Sequence, residues 1–412
     1  MHLPENRNKR KIFNDPVYGF ISIPFDTIFD LIEHPYFQRL RRIKQTGLTH
    51  LVYPGALHTR FHHAMGTMHL MGLAIDTLRS KGVDISEEEA EAVTIAILLH
   101  DIGHGPFSHA LEHSLVSGIS HEEISSCFMQ KLNDEFNGKL SLAIQIFNNQ
   151  YPKKFLHQLV ASQLDMDRLD YLKRDSFFTG VSEGVISTDR IITMLNVVND
   201  ELAIEEKGIY SIEKFIIARR LMYWQVYLHK TVLSAENLLV KILQRAKELA
   251  EQNERLFCTP PLEFFLYNKV NKDTFKNDDK TLDIFAQLDD FDVMASVKVW
   301  QSHPDKILSL LCQNMVNRKL YKIKLRKKPF HKNDFEAEKK QISSQFNVNE
   351  KELQYFIFTD KIINNAYNPK HDKINILFKD GSILDIAEAA DNLNISALSK
   401  PVTKYFLCYL KS

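Results

Sequence analysis

Histidines and carboxylates in this chain are concentrated where they could share one divalent cation. Nine of the 17 histidines fall between residues 58 and 121. The run His100-Asp101-Ile102-Gly103-His104-Gly105-Pro106-Phe107-Ser108-His109 follows the apolar stretch Ala92–Leu99. His62-His63 lies upstream, and Asp165-Met166-Asp167-Arg168-Leu169-Asp170-Tyr171 lies downstream. Imidazole and carboxylate together hold hard or borderline divalent cations. A hydrolytic centre of that kind needs three or four protein ligands and an open position for water or a substrate oxygen. His63, His100, Asp101 and Asp167 could supply the ligands. His104, His109 and His121 could steady negative charge or pass a proton to a leaving group, with Glu122 orienting His121. In a helix, His100 and His104 stand one turn apart on one face. Burying so many ionisable groups among apolar helices costs several kcal/mol unless an ion or partners compensate.

A second set of groups lies on later helical stretches. Asp167, Tyr171 and Asp175 recur at fourfold spacing and share a face, with Arg168 beside them as a cation for phosphate. Asp170 and Arg174 on the same stretch read as a salt-bridged surface pair. Arg219, Tyr223 and Tyr227 are also four apart; that pattern suits core packing, but Arg219 and Tyr227 would equally suit a phosphate and a nucleobase face. His34, His50 and His157 read as surface or satisfied histidines, and His58, His62, His69 and His113 as neighbours of the cluster.

The elements that must position these groups are mostly helices. Apolar residues recur at three and four over Phe25–Ile32, Met65–Leu78, Glu88–Leu99, Ile186–Val198 and Ile212–Leu249. Gly103 and Pro106 close the helix that carries the His–Asp pair. Thr259-Pro260-Pro261 and the polar stretch Asn271–Lys280 mark a boundary region. Beyond it Tyr321–Arg326 alternates, Asn333–Phe346 reads as helix, Leu353–Thr359 and Lys373–Phe378 read as strands, and Lys379–Ser382 as a hairpin turn. The expected fold is mainly α: a helical core with a smaller C-terminal α+β domain. Its stretches are an N-terminal segment over 1–50, the core over 51–255, a helical connector over 256–317 and the α+β domain over 318–412.

Bulk properties exclude several classes. The chain has 412 residues, 44% hydrophobic and 25% charged, with 52 basic residues balancing 52 acidic ones. No global field favours nucleic acid or a membrane surface. No apolar run approaches the roughly 20 residues that span a bilayer, and no signal-peptide core follows Met1. The four cysteines are far apart and form no disulfide framework. The chain reads as cytoplasmic. Arg318–Lys332 holds eight basic residues and no acid. Its plain reading is the charged edge of a strand; phosphate or single-stranded nucleic acid is the alternative.

Taken in order, the motifs resemble those of the HD-domain metal-dependent phosphohydrolases, and more closely their deoxynucleoside triphosphate triphosphohydrolase branch. The matching pieces are Asn14–Gly19, Phe37–Gln45, Tyr53–Ala56, Thr59–His63, His100–His109, Ser120–Glu122 and Asp167–Tyr171. The resemblance covers roughly residues 11–230 and implies the helical HD fold. It implies His63, His100, Asp101 and Asp167 as ligands of a divalent ion (manganese, iron, magnesium, zinc, cobalt or nickel). Arg60, His104, Arg168 and Arg219 match positions that hold the triphosphate. Gln45, Tyr171 and Asp175 match sugar contacts, and Tyr227 packs on sugar and base. His109, His121 and Glu122 match the acid–base positions. The reaction implied is water attack at the α-phosphorus of a dNTP, giving deoxynucleoside and triphosphate.

Two departures bear on specificity and regulation. Thr46 stands where vertebrate members carry leucine beside the sugar-contacting glutamine, so its hydroxyl could change discrimination at the ribose 2′ position. Relatives in the branch bind activating nucleotides between subunits, which implies a homo-oligomer, dimer or tetramer. Lys11, Asn14, Gln38 and Arg41 match parts of that pocket, with Glu33 in place of an aspartate. Arg190, Lys207, Arg318 and Lys322 match its phosphate positions more loosely. Glu205 falls where an arginine is expected and would repel polyphosphate. The rival readings are a nucleotidase or phosphodiesterase on the same ligands, and a nucleotide- or nucleic-acid-binding regulator without turnover.

Overall fold

The computed structural model describes residues 11–107, 114–369, 372–391 and 400–410. A hairpin of β1 (Ile12–Asp15) and β2 (Gly19–Ser22) leads into α1 (Asp26–Glu33). Four helices then build the wall of the site: α2 (Arg60–Ser80), α3 (Glu87–Leu99), α4 (His121–Glu135) and α5 (Met166–Thr179). α2 packs against both α3 and α5. α3 starts where it does because Ser86 and Glu89 form a capping box and Glu87, Glu88 and Glu89 face the helix dipole. From Ala92 to Leu99 its residues are buried or nearly so on every side, as expected of a helix in the interior. α4 opens with the same device, Ser120 and Glu123. α5 is capped by the Asp165 side chain and ends at Gly180, whose φ of 72° takes the left-handed turn that glycine allows.

The helical periodicity over Ile186–Val198 resolves differently. Only Thr188–Thr193 is helical; the chain then forms β3 (Leu195–Val198) and β4 (Glu201–Glu205). Asn199 and Asp200, with φ of 52° and 64°, make the two-residue turn, a conformation that Asn and Asp tolerate. The long apolar pattern after Ile212 is also divided. α6 (Ile209–Met222) swells into a π turn over Tyr223–Tyr227, and α7 (Lys230–Glu251) starts afresh. In the π turn the Leu228 N–H donates to the Tyr223 carbonyl at 2.7 Å, five residues back.

The C-terminal stretch holds β5 (Lys322–Arg326), β6 (Ile357–Asn364), β7 (Asn375–Leu377), β8 (Ile383–Asp385) and β9 (Val402–Tyr409). β5, β9 and β6 form one antiparallel sheet with β5 at its edge. The middle of the basic run, Lys322–Arg326, is therefore an edge strand, with Lys324 bonded to Glu338 and Arg326 to Asp334. β6 begins later than expected, after a short 3₁₀ turn over Glu352–Tyr355. The expected turn at Lys379–Ser382 does join β7 to β8. β7 then pairs in parallel with β4, so the C-terminal strands extend the core's own hairpin. The protein is mainly α, 56% helical, with a small strand-containing C-terminal region. Buried apolar side chains from Ile21 to Leu410 join one cluster. Among the described residues no helix is long and apolar enough to cross a membrane.

Candidate active site

The packing of α2 on α5 brings His63 against Asp167, while the end of α3 delivers His100 and Asp101. His63 Nε2 lies 3.1 Å from Asp167 Oδ1 and 3.8 Å from Asp101 Oδ2. His100 Nε2 lies 3.4 Å from Asp101 Oδ1 and 3.5 Å from Asp167 Oδ1. Donor atoms about 2.1 Å from a common centre and at right angles stand roughly 3 Å apart, so this spacing suits one ion. Each imidazole is also fixed from behind. His63 Nδ1–H donates to Asp170 Oδ2 at 2.7 Å, and His100 Nδ1–H to the Ile97 carbonyl at 2.6 Å. Both Nε2 atoms therefore point into the cluster, and both are buried without a hydrogen-bond partner. A metal-ligating histidine is held in this way. The His/Asp cluster could hold a divalent cation.

The electrostatics agree. Burial lowers the His63 pKa, but the adjacent Asp167 and Asp170 carboxylates outweigh that and carry it up to about 10. Against burial, His100, His104 and Arg60 hold the Asp101 carboxyl well below the usual range, and His100 and His63 do the same for Asp167. The cluster thus draws in positive charge, a proton or a metal, and metal binding releases such protons.

His104 arrives by another route than helix periodicity implies. α3 stops at Leu99, and a turn closed by the His104 N–H on the Asp101 carbonyl carries the chain onward. His104 Nε2 still comes within 3.3 Å of Asp101 Oδ1. Its ring stacks on His121, centroids 3.8 Å apart. Asp101, His104 and His121 make a second group whose donor atoms lie within 4.8 Å of one another. Gly103 makes this possible, because a Cβ there would run into the His121 carbonyl and the Ser125 N–H. Ser125 then bridges, accepting from the Gly103 N–H at 2.9 Å and donating to the His100 carbonyl at 2.7 Å. Burial, with the Arg60 charge, holds His104 down at about 3, so its imidazole is neutral until an anion favours its proton. Glu122 Oε1 stands 3.2 Å from His121 Nε2. His109 and His113 lie outside the described residues.

A cavity of about 410 Å³ opens from this cluster. Of the residues singled out from sequence, Gln45, Thr46, Arg60, Tyr171, Asp175 and Tyr227 line it, as do Asp101, His104, His121 and Asp167. Arg168 and Arg219 stand behind that lining, close enough to act on the Tyr171 hydroxyl. Arg168 pairs with Asp165, and Arg219 donates to Gln163 at 3.2 Å. Phe107, at the wall, adopts a left-handed backbone with φ of 47°, a conformation that bulky side chains rarely take.

Several groups that position the site were not singled out as such. Asp170 and Arg174 are buried, not a surface pair: Arg174 binds Asp170 at 2.9 Å and Asp15 at 2.7 Å, while Asp170 holds His63. His58 is buried and its Nε2 bonds Asp175 Oδ1 at 2.7 Å; the Tyr227 hydroxyl donates to Asp175 Oδ2 at 2.6 Å. His62 caps α2, its Nδ1 accepting from the Thr59 N–H at 3.2 Å. Arg39, fully buried, donates to the carbonyls of Ile102, His104 and Leu288. Burial pushes its pKa down to about 9. Lys44, Tyr223 and Glu236 line the cavity as well. The Asp15–Arg174 and His58–Asp175 pairs and the Arg39 tethers have no local signature, because their partners are far apart in the chain.

The residues matched to a regulatory pocket fall into separate groups. Lys11, Asn14 and Glu33 are exposed on the N-terminal segment, where Arg41 bonds Gln38 at 2.9 Å and stacks on Phe61. Arg190 donates to the Lys207 carbonyl, Arg318 to the Leu51 carbonyl, and Lys322 begins the edge strand β5. No hydrogen bond or ion pair joins these groups among the described residues. Glu205, expected to repel polyphosphate, is neutralised by Lys81 at 2.7 Å.

Comparisons with known proteins agree with this geometry. The family model of the HD domain matches residues 60–175, and that of the HD associated region matches 186–258. The uncharacterized protein YwfO of Bacillus subtilis is 35% identical over 321 residues, 76% of this chain and 72% of that protein. The deoxynucleoside triphosphate triphosphohydrolase SAMHD1 homolog of Dictyostelium discoideum is 34% identical over 274 residues, covering 61% of this chain but 52% of that protein. The crystal structure of a phosphohydrolase from Bacteroides thetaiotaomicron superposes with a TM-score of 0.94 at 57% identity, over 98% of this chain and 100% of that one. A His/Asp cluster able to take a divalent ion, set in this helical frame, places the chain in the family of HD-domain metal-dependent phosphohydrolases.

Proposed function

We propose that this protein hydrolyses deoxynucleoside triphosphates to deoxynucleoside and triphosphate. The supporting observation is where buried polarity is left unsatisfied. Among the described residues, fourteen buried side-chain N or O atoms lack a partner, and seven belong to the site: Gln45 Oε1, Thr46 Oγ1, Arg60 Nε, His63 Nε2, His100 Nε2, Arg168 Nε and Arg219 Nε. Native interiors keep such orphans few, and half of those found gather around one cavity. Three guanidinium donors ask for a polyanion, two imidazoles for a cation, and an amide and a hydroxyl for a sugar. A nucleoside polyphosphate carries all of these except the ion.

Each residue then has a task. His63, His100, Asp101 and Asp167 would hold a divalent ion, which supplies Lewis acidity toward a phosphoryl oxygen and lowers the pKa of water. Arg60 lies beside Asp101 at 2.6 Å and holds phosphate charge next to the cluster. Arg168 and Arg219 add positive charge behind Tyr171. His104 steadies the α-phosphate oxygens as their charge grows. Water attack at the α-phosphorus breaks its bond to the 5′ oxygen, and that oxygen leaves with a proton; His121 gives that proton in this reading, and Glu122 orients it. Gln45, Tyr171 and Asp175 hold the sugar, and the Tyr227 ring packs on sugar and base. His109 is a further candidate for proton transfer. An oligomer with an activating nucleotide between subunits follows from the same likeness to triphosphohydrolases, with Lys11 and Arg41 among its contacts.

Product analysis tests the reading. Metal-loaded protein is incubated with each dNTP and NTP, with Mg²⁺ or Mn²⁺, with and without added dGTP. Release of triphosphate and nucleoside is expected. Orthophosphate or pyrophosphate as the only product would replace this reading with a nucleotidase or a related phosphate esterase. Tight nucleotide binding without turnover would replace it with a regulator.

A further inference from the structure

Among the described residues four carboxylates line the cavity, and three are committed. Asp101 and Asp167 belong to the His/Asp cluster, and Asp175 has both oxygens engaged by His58 and Tyr227. Glu236, near the start of α7, is the fourth; among the described residues it has no hydrogen bond and no ion pair. Its helix packs on the short 3₁₀ turn Gly47–Leu51, and Leu48, Leu228 and Leu239 line the same cavity. Burial alone pushes the Glu236 carboxyl up to about 7, with no charged neighbour acting on it.

A half-buried carboxylate beside leucines, with no hydrogen bond or ion pair among the described residues, is poorly compensated by the fold. A ligand can. The triphosphate is excluded, since like charges repel. The sugar already has Gln45, Tyr171 and Asp175 assigned to it. What is left of a nucleotide is the base, whose stacking partner Tyr227 lines the same cavity.

We propose that Glu236 is a specificity-determining residue that reads the nucleobase through a pair of adjacent N–H donors, and so favours guanine. The two oxygens of a carboxylate accept two parallel N–H bonds, and guanine presents N1–H and N2–H side by side. Adenine, cytosine and thymine each offer only one such donor beside an acceptor, which leaves one oxygen of the ionised carboxylate facing a lone pair. The protonated carboxyl would suit those edges instead, so the guanine preference belongs to pH above about 7, where the test is run. The inference rests on the nucleotide reading above and adds the identity of the base.

The test uses the isosteric variant Glu236→Gln. Specificity constants are measured on metal-loaded wild type and variant for dGTP, dATP, dCTP and TTP. Wild type is expected to prefer dGTP. The variant is expected to lose roughly tenfold or more with dGTP and to change by less than about threefold with the others. Its thermal midpoint should stay level or rise, because a half-buried charge without a partner among the described residues is gone. A uniform loss across all four bases, a wild type without guanine preference, or a lowered midpoint would each overturn the role of Glu236. A wild type that turns over no nucleotide would overturn the substrate reading itself, and this inference with it.

Discussion

Two buried charge clusters sit side by side on α5, and they differ in one respect. Asp170, Arg174 and Asp15 form a closed network. Arg174 is fully buried, with bonds to Asp170 at 2.9 and 3.0 Å and to Asp15 at 2.7 Å, and Asp15 also caps the N–H groups of Val17 and Tyr18. Gly66 leaves room for it, because a Cβ there would collide with Asp170 and Arg174. One turn away His63, His100, Asp101 and Asp167 form an open cluster, with two orphaned nitrogens and an Asp167 side chain 27% accessible. Burial of charge is common to both. Unfilled bonding capacity marks only the second, and that is the better guide to chemistry.

The contrast can be broken experimentally. Replacing His100 and Asp101 together by alanine should abolish hydrolysis and metal retention while circular dichroism shows the helices intact. Retained activity would remove the cluster from the mechanism. The reverse pattern is expected at the closed network. Arg174→Ala leaves Asp170 and Asp15 buried without their cation and should cost about 3–5 kcal/mol in denaturant unfolding. Were the loss under about 1 kcal/mol, the network would not be the structural element described above. Asp170→Asn touches both clusters through His63. Metal affinity, measured by competition with a chelator, should fall by about 10–100-fold, and unchanged affinity would sever the two. The smallest effect belongs to Thr46→Leu, which removes a buried hydroxyl without a partner at the cavity wall. Preference for deoxy- over ribonucleotides should rise a few-fold, by about the worth of one hydrogen bond. An unchanged ratio removes Thr46 from sugar discrimination.

The open cluster was legible in the chain because its signals are short. The His–Asp pair, the histidine upstream and the fourfold spacing of Asp167, Tyr171 and Asp175 need only local geometry to be recognised. The closed network was not legible, since Asp15 and Arg174 are 159 positions apart and their burial depends on tertiary packing. His58 and Asp175, 117 apart, escaped notice for the same reason. Helix periodicity carried the main fold but failed at Leu195–Val198. There β-branched residues beside an Asn-Asp turn outweighed the apolar spacing. It also placed His104 on a helix, whereas a loop held by Ser125, Gly103 and Arg39 brings it to Asp101. Glu236 carried no motif at all; only its lack of partners marks it.

Arg39 has a consequence for portability. The stretch matched by the HD-domain model begins at residue 60, yet the carbonyls of Ile102 and His104 are tethered by a guanidinium from residue 39, which is anchored in turn to Leu288. A segment cut at residues 60 and 175 would carry every proposed ligand but leave the loop between His100 and His104 without its clasp. Grafted onto another scaffold it would bring the right residues in the wrong order of rigidity. The heritable unit is thus larger than the motif, a discontinuous one in which distant stretches of chain have to change together.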